Sequence, residues 1–187
     1  QIRSGANDGP VFGRGFITWR TTVTVTPKTF YFIHDSYFQD FPDPCLMQNK
    51  EMIGGQPHGR PCFYAFEDPQ THLIWLIPFS SRIKKFHDIA NKKIAKRGYC
   101  NTILFGEVLG HEKAFLIQNM CPITPKYLDT QYTNNGVVVK IDGAFESKLI
   151  QCAKQVLALT RQGQKLIFPD VLAIECALLA QMQPPKK

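Results

Sequence analysis

Hydroxyl, ammonium and imidazole groups follow one another within one short segment of the chain: Ser80, Ser81, Lys84, Lys85 and His87. They come directly after the apolar run from Leu73 to Phe79, which has the composition of a buried strand, so we expect them at one end of a sheet. Cleavage of RNA without metal needs such groups: a base for the 2′-hydroxyl proton, cations for the charged phosphorane and a donor for the leaving 5′-oxygen. A helix cap followed by a solvated helix face is the alternative interpretation, and spacing alone does not exclude it.

Arg60 begins a second segment that is expected at the same end of the sheet. An apolar run follows it as far as Phe66, and the next four residues, Glu67 to Gln70, have the composition of a turn. A hairpin that pairs about this turn places Arg60 opposite Phe79 and Ser80, so its guanidinium would lie beside the hydroxyls. The alternative role for Arg60 is a surface ion pair.

The positive charge of the chain is concentrated in one stretch. The sequence has 22 Lys plus Arg against 15 Asp plus Glu, a net charge of +7, and the stretch from Arg82 to Arg97 carries +6 of it. A localised cationic surface favours a polyanion through counterion release, whereas a solvated helix face without a ligand is the alternative. The residues assigned to RNA contacts are Lys85, His87, Lys92, Lys93, Lys96 and Arg97. Phe86 and Tyr99 are candidates for stacking on unpaired bases, and both also suit a core.

Two other kinds of nuclease site are weaker hypotheses. Asp35, Asp40 and Asp43 lie close together and suggest a metal-dependent nuclease, but the prolines among them are typical of turns. His58 and His87 would cleave RNA as an acid and base pair. The six cysteines are widely spaced, without a C-x-x-C pair, so we expect free thiols and neither a metal nor a cofactor.

The periodicity of the chain predicts a single α+β domain with five or six strands, mostly antiparallel, and three helices. The predicted strands are Phe30–Ile33, Phe63–Phe66, Leu73–Phe79, Asn101–Leu109, Ala114–Met120 and Val137–Ile141, with a turn at Gly110–Lys113. The predicted helices run from a cap at Ser80 or Ser81 to Gly98, from about Gly143 to Gln162, and from near Pro169 to before Pro184.

Length and hydropathy bound the kind of protein. A chain of 187 residues is near the size of one domain, and its longest apolar run is far below the roughly 20 residues of a membrane helix. We therefore expect a cytoplasmic protein without membrane contact. Residues 1–28 are rich in glycine and lack an apolar period, so we expect a leader or extension there and a functional domain at 29–183.

Four segments follow one another along the chain: Thr29–Tyr37 (TFYFIHDSY), Arg60–Phe66 (RPCFYAF), Ile77–His87 (IPFSSRIKKFH) and Ala114–Ile123 (AFLIQNMCPI). In this order they resemble the ToxN/AbiQ family of endoribonuclease toxins from type III toxin-antitoxin systems. The resemblance implies a compact, twisted antiparallel sheet with about three flanking helices. It also implies metal-independent cleavage of cellular RNA that leaves a 2′,3′-cyclic phosphate, a role in antiviral defence, and inhibition by an antitoxin RNA of repeated pseudoknots in an RNA-bridged higher-order complex.

The resemblance assigns catalysis to Arg60, Ser80, Ser81 and Lys84. Arg60 and Lys84 would activate the 2′-hydroxyl and stabilise the phosphorane, while the two serines orient the scissile phosphate. The sequence departs from the family pattern, because two residues separate Ser81 from the first lysine where relatives usually have one. The resemblance therefore does not decide between Lys84 and Lys85. The alternative function is a noncatalytic, basic RNA-binding or translation-regulating module.

Overall fold

The computed structural model describes residues 25–53 and 56–183, with backbone alone at 50–53 and 56–58. Of the segment predicted as a leader, residues 1–24 lie outside the described residues. Residues 25–28 contact the sheet: the Lys28 amide donates to the Tyr64 carbonyl at 3.1 Å, and Val25 packs against buried side chains.

A seven-stranded antiparallel sheet forms the centre of the protein. Its strands are β1 (Phe30–Ile33), β4 (Cys62–Glu67), β5 (Ile74–Ser80), β6 (Ile103–Val108), β7 (His111–Leu116), β8 (Cys121–Ile123) and β9 (Leu128–Gln131). Six of them follow the order β6-β7-β5-β4-β1-β9, and β8 pairs with the first half of β5. Two small hairpins lie outside this sheet, namely β2 (Lys50–Ile53) with β3 (Gln56–Gly59) and β10 (Thr133–Asn134) with β11 (Val137–Val138).

Within residues 25–53 and 56–183, four helices flank the sheet, and three of them have more than seven residues. They are α1 (Asp35–Asp40), α2 (Ile83–Arg97), α3 (Gly143–Arg161) and α4 (Val171–Met182). The predicted α+β class with an antiparallel sheet and about three longer helices is therefore confirmed. In the described part of the chain, no helix has the length and apolar character that crossing a membrane requires.

The central strand β5 is buried along its whole length because both of its faces are covered. Trp75, Ile77 and Phe79 project into the core that packs against α3, and Ile74 and Leu76 project into the core beneath α4. This alternation follows from the twofold period of a strand. A third, smaller core lies beneath α2, with Phe86, Ile103, Ala114 and Leu116.

The helix caps only partly follow the sequence prediction. α2 begins after Arg82 without a side-chain cap, so the prediction that Ser80 or Ser81 caps this helix is wrong. The physical reason is that Ser80 is still the last residue of β5, and its hydroxyl oxygen accepts instead from the Arg82 amide in the turn. α2 ends as predicted at Gly98, whose φ of 81° lies in the left-handed region that glycine adopts most easily.

The hairpin of β6 and β7 turns two residues earlier than predicted. Its turn is Leu109-Gly110, with φ values of 53° and 74°, and the Val108–His111 pair closes it. His111, Glu112 and Lys113 therefore belong to β7 and not to a turn. The predicted strands Ala114–Met120 and Val137–Ile141 are also too long, because a 3₁₀ turn follows Leu116 and β11 stops at Val138.

An ion cluster of two buried carboxylates and a partly exposed arginine joins α3 and α4 to the turn after β4. Arg161 Nη2 lies 2.7 Å from Asp68 Oδ2 and 2.6 Å from Glu175 Oε1. Burial opposes the ionisation of Asp68, but hydrogen bonds from the Gln70 amide and Arg161, with the charge of Arg161, outweigh it and lower the pKa. We call these three side chains the Arg161 ion cluster.

Candidate active site at the end of the central strand

Ser80 and Ser81 lie at the end of β5 in different surroundings. Ser80 is only 2% exposed, pairs with Ala114 of β7, and its Oγ lies 3.2 Å from the Arg82 amide nitrogen. Ser81 follows the strand and is exposed. The two serines predicted to orient a phosphate therefore differ, because only Ser81 presents its hydroxyl at the surface.

Lys113 contacts Ser81 directly from the neighbouring strand. Its Nζ donates to Ser81 Oγ at 2.8 Å. The contact follows from the register: Ser80 pairs with Ala114, so the residue before Ala114 lies opposite the residue after Ser80. The sequence prediction missed Lys113 because it placed this residue in a turn. The signal that would have placed it in a strand is the two-residue hairpin turn ending at Gly110.

The two serines are directed towards opposite faces of the sheet. Ala114, which pairs with Ser80, belongs to the core beneath α2, whereas Phe115 belongs to the core that packs against α3. Because side chains alternate along a strand, Lys113 shares the α3 face with Phe115. Ser81, which Lys113 contacts, is therefore reached from the α3 side of the sheet edge.

Arg60 lies just before β4, on the strand next to β5. Extending the Cys62–Pro78 pair by two residues places Arg60 opposite Ser80, as the hairpin predicted. Its guanidinium Nη1 donates to the Gln48 carbonyl at 2.8 Å, and its amide donates to the Asn49 carbonyl at 2.6 Å. Arg60 therefore also holds the segment that precedes β2.

The lysines of α2 occupy two kinds of position. Lys84 and Lys85 are exposed in its first turn, and among the described residues neither hydrogen-bonds to Ser81. Lys92 and Lys96 are also exposed, and with Lys85 their spacing of seven and four residues lines up one face of the helix. Arg97 is exposed at the C-terminal end. We call Lys85, Lys92 and Lys96 the α2 lysine stripe.

Lys93 points inward, unlike its neighbours on α2. Its Nζ donates to Thr102 Oγ1 at 2.8 Å and to Gln118 Oε1 at 2.5 Å. Burial lowers the pKa of Lys93, and the nearby charge of Arg97 lowers it further. The ammonium of Lys93 therefore connects α2 to the chain around β6 and to the 3₁₀ turn after β7.

His87 packs against the β6–β7 hairpin. Its ring stacks on Phe105 with a centroid distance of 3.8 Å and an interplanar angle of 7°, and its Nε2 lies 3.4 Å from Glu112 Oε1. Of the two stacking candidates, Phe86 is in the core beneath α2 and Tyr99 is 60% exposed just beyond the helix.

The three aspartates of the metal hypothesis hold turns and neighbouring elements. Asp43 accepts from the amides of Cys45 and Asp170, and Asp40 accepts from the Tyr127 hydroxyl at 2.7 Å. Asp35 accepts from the Asn49 side chain. Within the described ranges, no three His, Cys, Asp or Glu side chains are grouped so that they could hold a metal ion. The two-histidine hypothesis rests in part on the side chain of residue 58, which lies outside the described residues.

The fold and the site define a class of protein: an antiparallel α+β domain in which a serine at the end of the central strand contacts a lysine on the neighbouring strand. No protein-family model and no curated protein sequence matches the chain. Among solved structures, the chain is similar to AbiQ, a lactococcal anti-phage endoribonuclease belonging to the type III toxin-antitoxin system. The TM-score is 0.60 at 11% identity, over 84% of this chain and 100% of AbiQ. The chain therefore has the AbiQ fold, which confirms the fold that its ordered motifs predict.

Proposed function

We propose that this protein is an endoribonuclease toxin of a type III toxin-antitoxin system that cleaves RNA without a metal ion. The observation that carries the proposal is the hydroxyl–ammonium contact of Ser81 and Lys113 at the end of the central strand of an AbiQ-like sheet. A hydroxyl donor next to fixed positive charge is the arrangement that stabilises a phosphorane. The domain from residue 29 to 183 carries this activity.

In this reaction the 2′-oxygen loses its proton to a base and attacks the adjacent phosphorus. The O2′–P bond forms, the P–O5′ bond breaks, and the 5′-oxygen takes the proton back from the protonated base, leaving a 2′,3′-cyclic phosphate. Lys84 is this base, Arg60 supplies positive charge that stabilises the phosphorane, and Ser81 donates to a phosphate oxygen. Ser80 acts from its buried position, because its hydroxyl fixes the turn that leads into α2.

The α2 lysine stripe, with Arg97, binds the RNA backbone. These side chains are exposed and succeed one another along about three turns of helix. Substrate RNA and the antitoxin, a structured repeat RNA, share this surface, so the bound antitoxin blocks the site. The inhibited protein forms an RNA-bridged complex in the cytoplasm. Specificity for the antitoxin then comes from RNA shape and from unpaired bases, for which Tyr99 is an exposed stacking surface.

Cleavage by the purified chain in excess EDTA tests the chemistry. We expect a 5′ product that ends in a cyclic phosphate, and we expect Ser81→Ala to lower turnover by about 100-fold, the scale of losing one donor to a transition-state oxyanion. The matched control is Thr71→Ala, which removes a hydroxyl from the turn at the other end of β5. Activity that EDTA abolishes and magnesium restores would refute metal independence.

The exposed stripe of α2 also suits a noncatalytic RNA-binding module that regulates translation. Growth arrest on expression separates the two functions, because an enzyme loses it with Ser81→Ala while a binding module does not. For the antitoxin, we expect the cognate repeat RNA to bind more tightly than an unstructured RNA of equal length across a salt series. Equal affinities and equal salt slopes for the two RNAs would argue against the antitoxin partner.

A further inference from the structure

We propose that Lys113 is a positioning residue for Ser81, which fixes the hydroxyl so that its proton is directed at the phosphate of the substrate. This inference rests on the proposed endoribonuclease function. Neither the spacing of the motifs nor the resemblance assigns a role to Lys113. The residue lies in β7, outside the segment that holds the serines and the α2 lysines.

The direction of the hydrogen bond carries the argument. An ammonium group has three donors and no acceptor, so Lys113 Nζ is the donor and Ser81 Oγ the acceptor in the 2.8 Å contact. A serine hydroxyl accepts and donates at the same time. With Lys113 on one lone pair, the hydroxyl proton remains free for an oxygen of the substrate, and the adjacent positive charge makes it a stronger donor.

The surroundings of Lys113 keep it available for this contact. Its neighbour in the sequence, Glu112, lies near His87, and Glu146 at the start of α3 is 2.7 Å from Lys28. In the part of the chain that the structure describes, no carboxylate is within ion-pair distance of Lys113. Two of its three donors therefore remain for the solvent.

The backbone around Lys113 is held on both sides by strands. Gly106 of β6 pairs with Lys113, and Ala114 pairs with Ser80 of β5. A Cβ at Gly106 would lie 2.3 Å from the Phe145 ring, so α3 packs tightly onto this part of the sheet. Side chains on paired strands are positioned more accurately than side chains on loops. Lys113 is therefore placed accurately enough to orient the hydroxyl proton of Ser81.

A double-mutant cycle on the full chain tests the inference. The variants are Ser81→Ala, Lys113→Met and the double variant, and the matched control is Lys154→Met, a lysine over the Phe66 ring at the other end of the sheet. With a defined RNA substrate, we expect Lys113→Met to lower kcat by about 10- to 100-fold and to change KM by less than about twofold. In the Ser81→Ala background it should add almost nothing, because the group it positions is absent.

Conservative replacement separates positioning from folding. Lys113→Arg keeps the charge and a donor, so we expect it to recover part of the lost kcat with an unchanged unfolding transition. The inference is overturned if the single effects multiply in the double variant, or if Lys113→Met raises KM alone, which would make Lys113 a simple phosphate contact. If the wild-type chain cleaves no RNA, the proposed function itself fails. Failure of the proposed function is thereby distinguished from failure of the inference about Lys113, since the variants are compared only with an active wild type.

Discussion

Replacing Lys93 by methionine distinguishes an RNA contact from a structural lysine within the same basic helix. The sequence assigns Lys93 to the RNA surface together with Lys92 and Lys96. In the structure, its ammonium is turned inward onto Thr102 and Gln118, at 2.8 and 2.5 Å. We therefore expect Lys93→Met to lower the stability of the fold and to leave RNA affinity unchanged. Lys92→Met and Lys96→Met should lower RNA affinity and leave stability nearly unchanged.

The magnitude follows from what the substitution leaves behind. Gln118 is 3% exposed and Thr102 is 4% exposed, so water cannot easily replace the lost ammonium. An acceptor left buried without a donor costs about 1–3 kcal/mol. In a domain of this size that is a fall in Tm of about 2–4 °C for each kcal/mol. Lys92→Met, at an exposed position, should stay within about 0.5 kcal/mol of the wild type.

Two measurements decide the matter. Urea unfolding at neutral pH gives the stability of the three methionine variants. A titration with RNA at several salt concentrations gives the slope of log K against log salt, which falls by about 0.7–0.9 for each phosphate contact removed. The inward assignment is refuted if Lys93→Met reduces the slope as Lys92→Met does and unfolds at the same urea concentration as the wild type.

Three further substitutions test the packing of the fold away from the serines. Arg161→Met leaves the two carboxylates of the Arg161 ion cluster without their cation and should lower the free energy of unfolding by about 2–4 kcal/mol at neutral pH. Because the pKa of Asp68 is lowered, its contribution to stability disappears as pH falls through that pKa. Urea unfolding should therefore show a smaller difference in stability between the variant and the wild type in acid. Gly106→Ala would place a methyl group 2.3 Å from the Phe145 ring and should lower the free energy of unfolding by about 1–3 kcal/mol in the same assay. Leu109→Asn relieves a φ of 53° and should raise stability by up to about 1 kcal/mol, and a lower Tm would show that the leucine side chain matters more.

The sequence predicted those elements whose signals are local. The turn composition after Phe66 correctly joined β4 to β5, and the register of that hairpin places Arg60 opposite Ser80 as expected. Gly98 correctly ended α2. The ends of α3 and α4 were also predicted closely, because glycine follows the first helix and prolines flank the second in the sequence.

The parts that failed depend on contacts between distant segments. The pairing of β5 with β7 brings Lys113 to Ser81, and no local pattern announces it. The β6–β7 turn was misplaced because leucine, at 109, occupies a left-handed position that asparagine or glycine usually signals. The inward direction of Lys93 was missed because its polar partners come from outside the helix. The apolar period of α2 instead predicts that Ile94 is buried, but this residue is 46% exposed.

The departure from the family spacing has a geometric consequence for the lysines of α2. One extra residue between Ser81 and the first lysine rotates that lysine by about 100° around the helix axis. Among the described residues, Lys84 and Lys85 make no hydrogen bond to Ser81, whereas Lys113 does. A lysine on β7 does not depend on that spacing, because the register with β5 fixes it. In the proposed reaction, Lys113 therefore supplies positive charge at the Ser81 hydroxyl whichever α2 lysine faces the substrate.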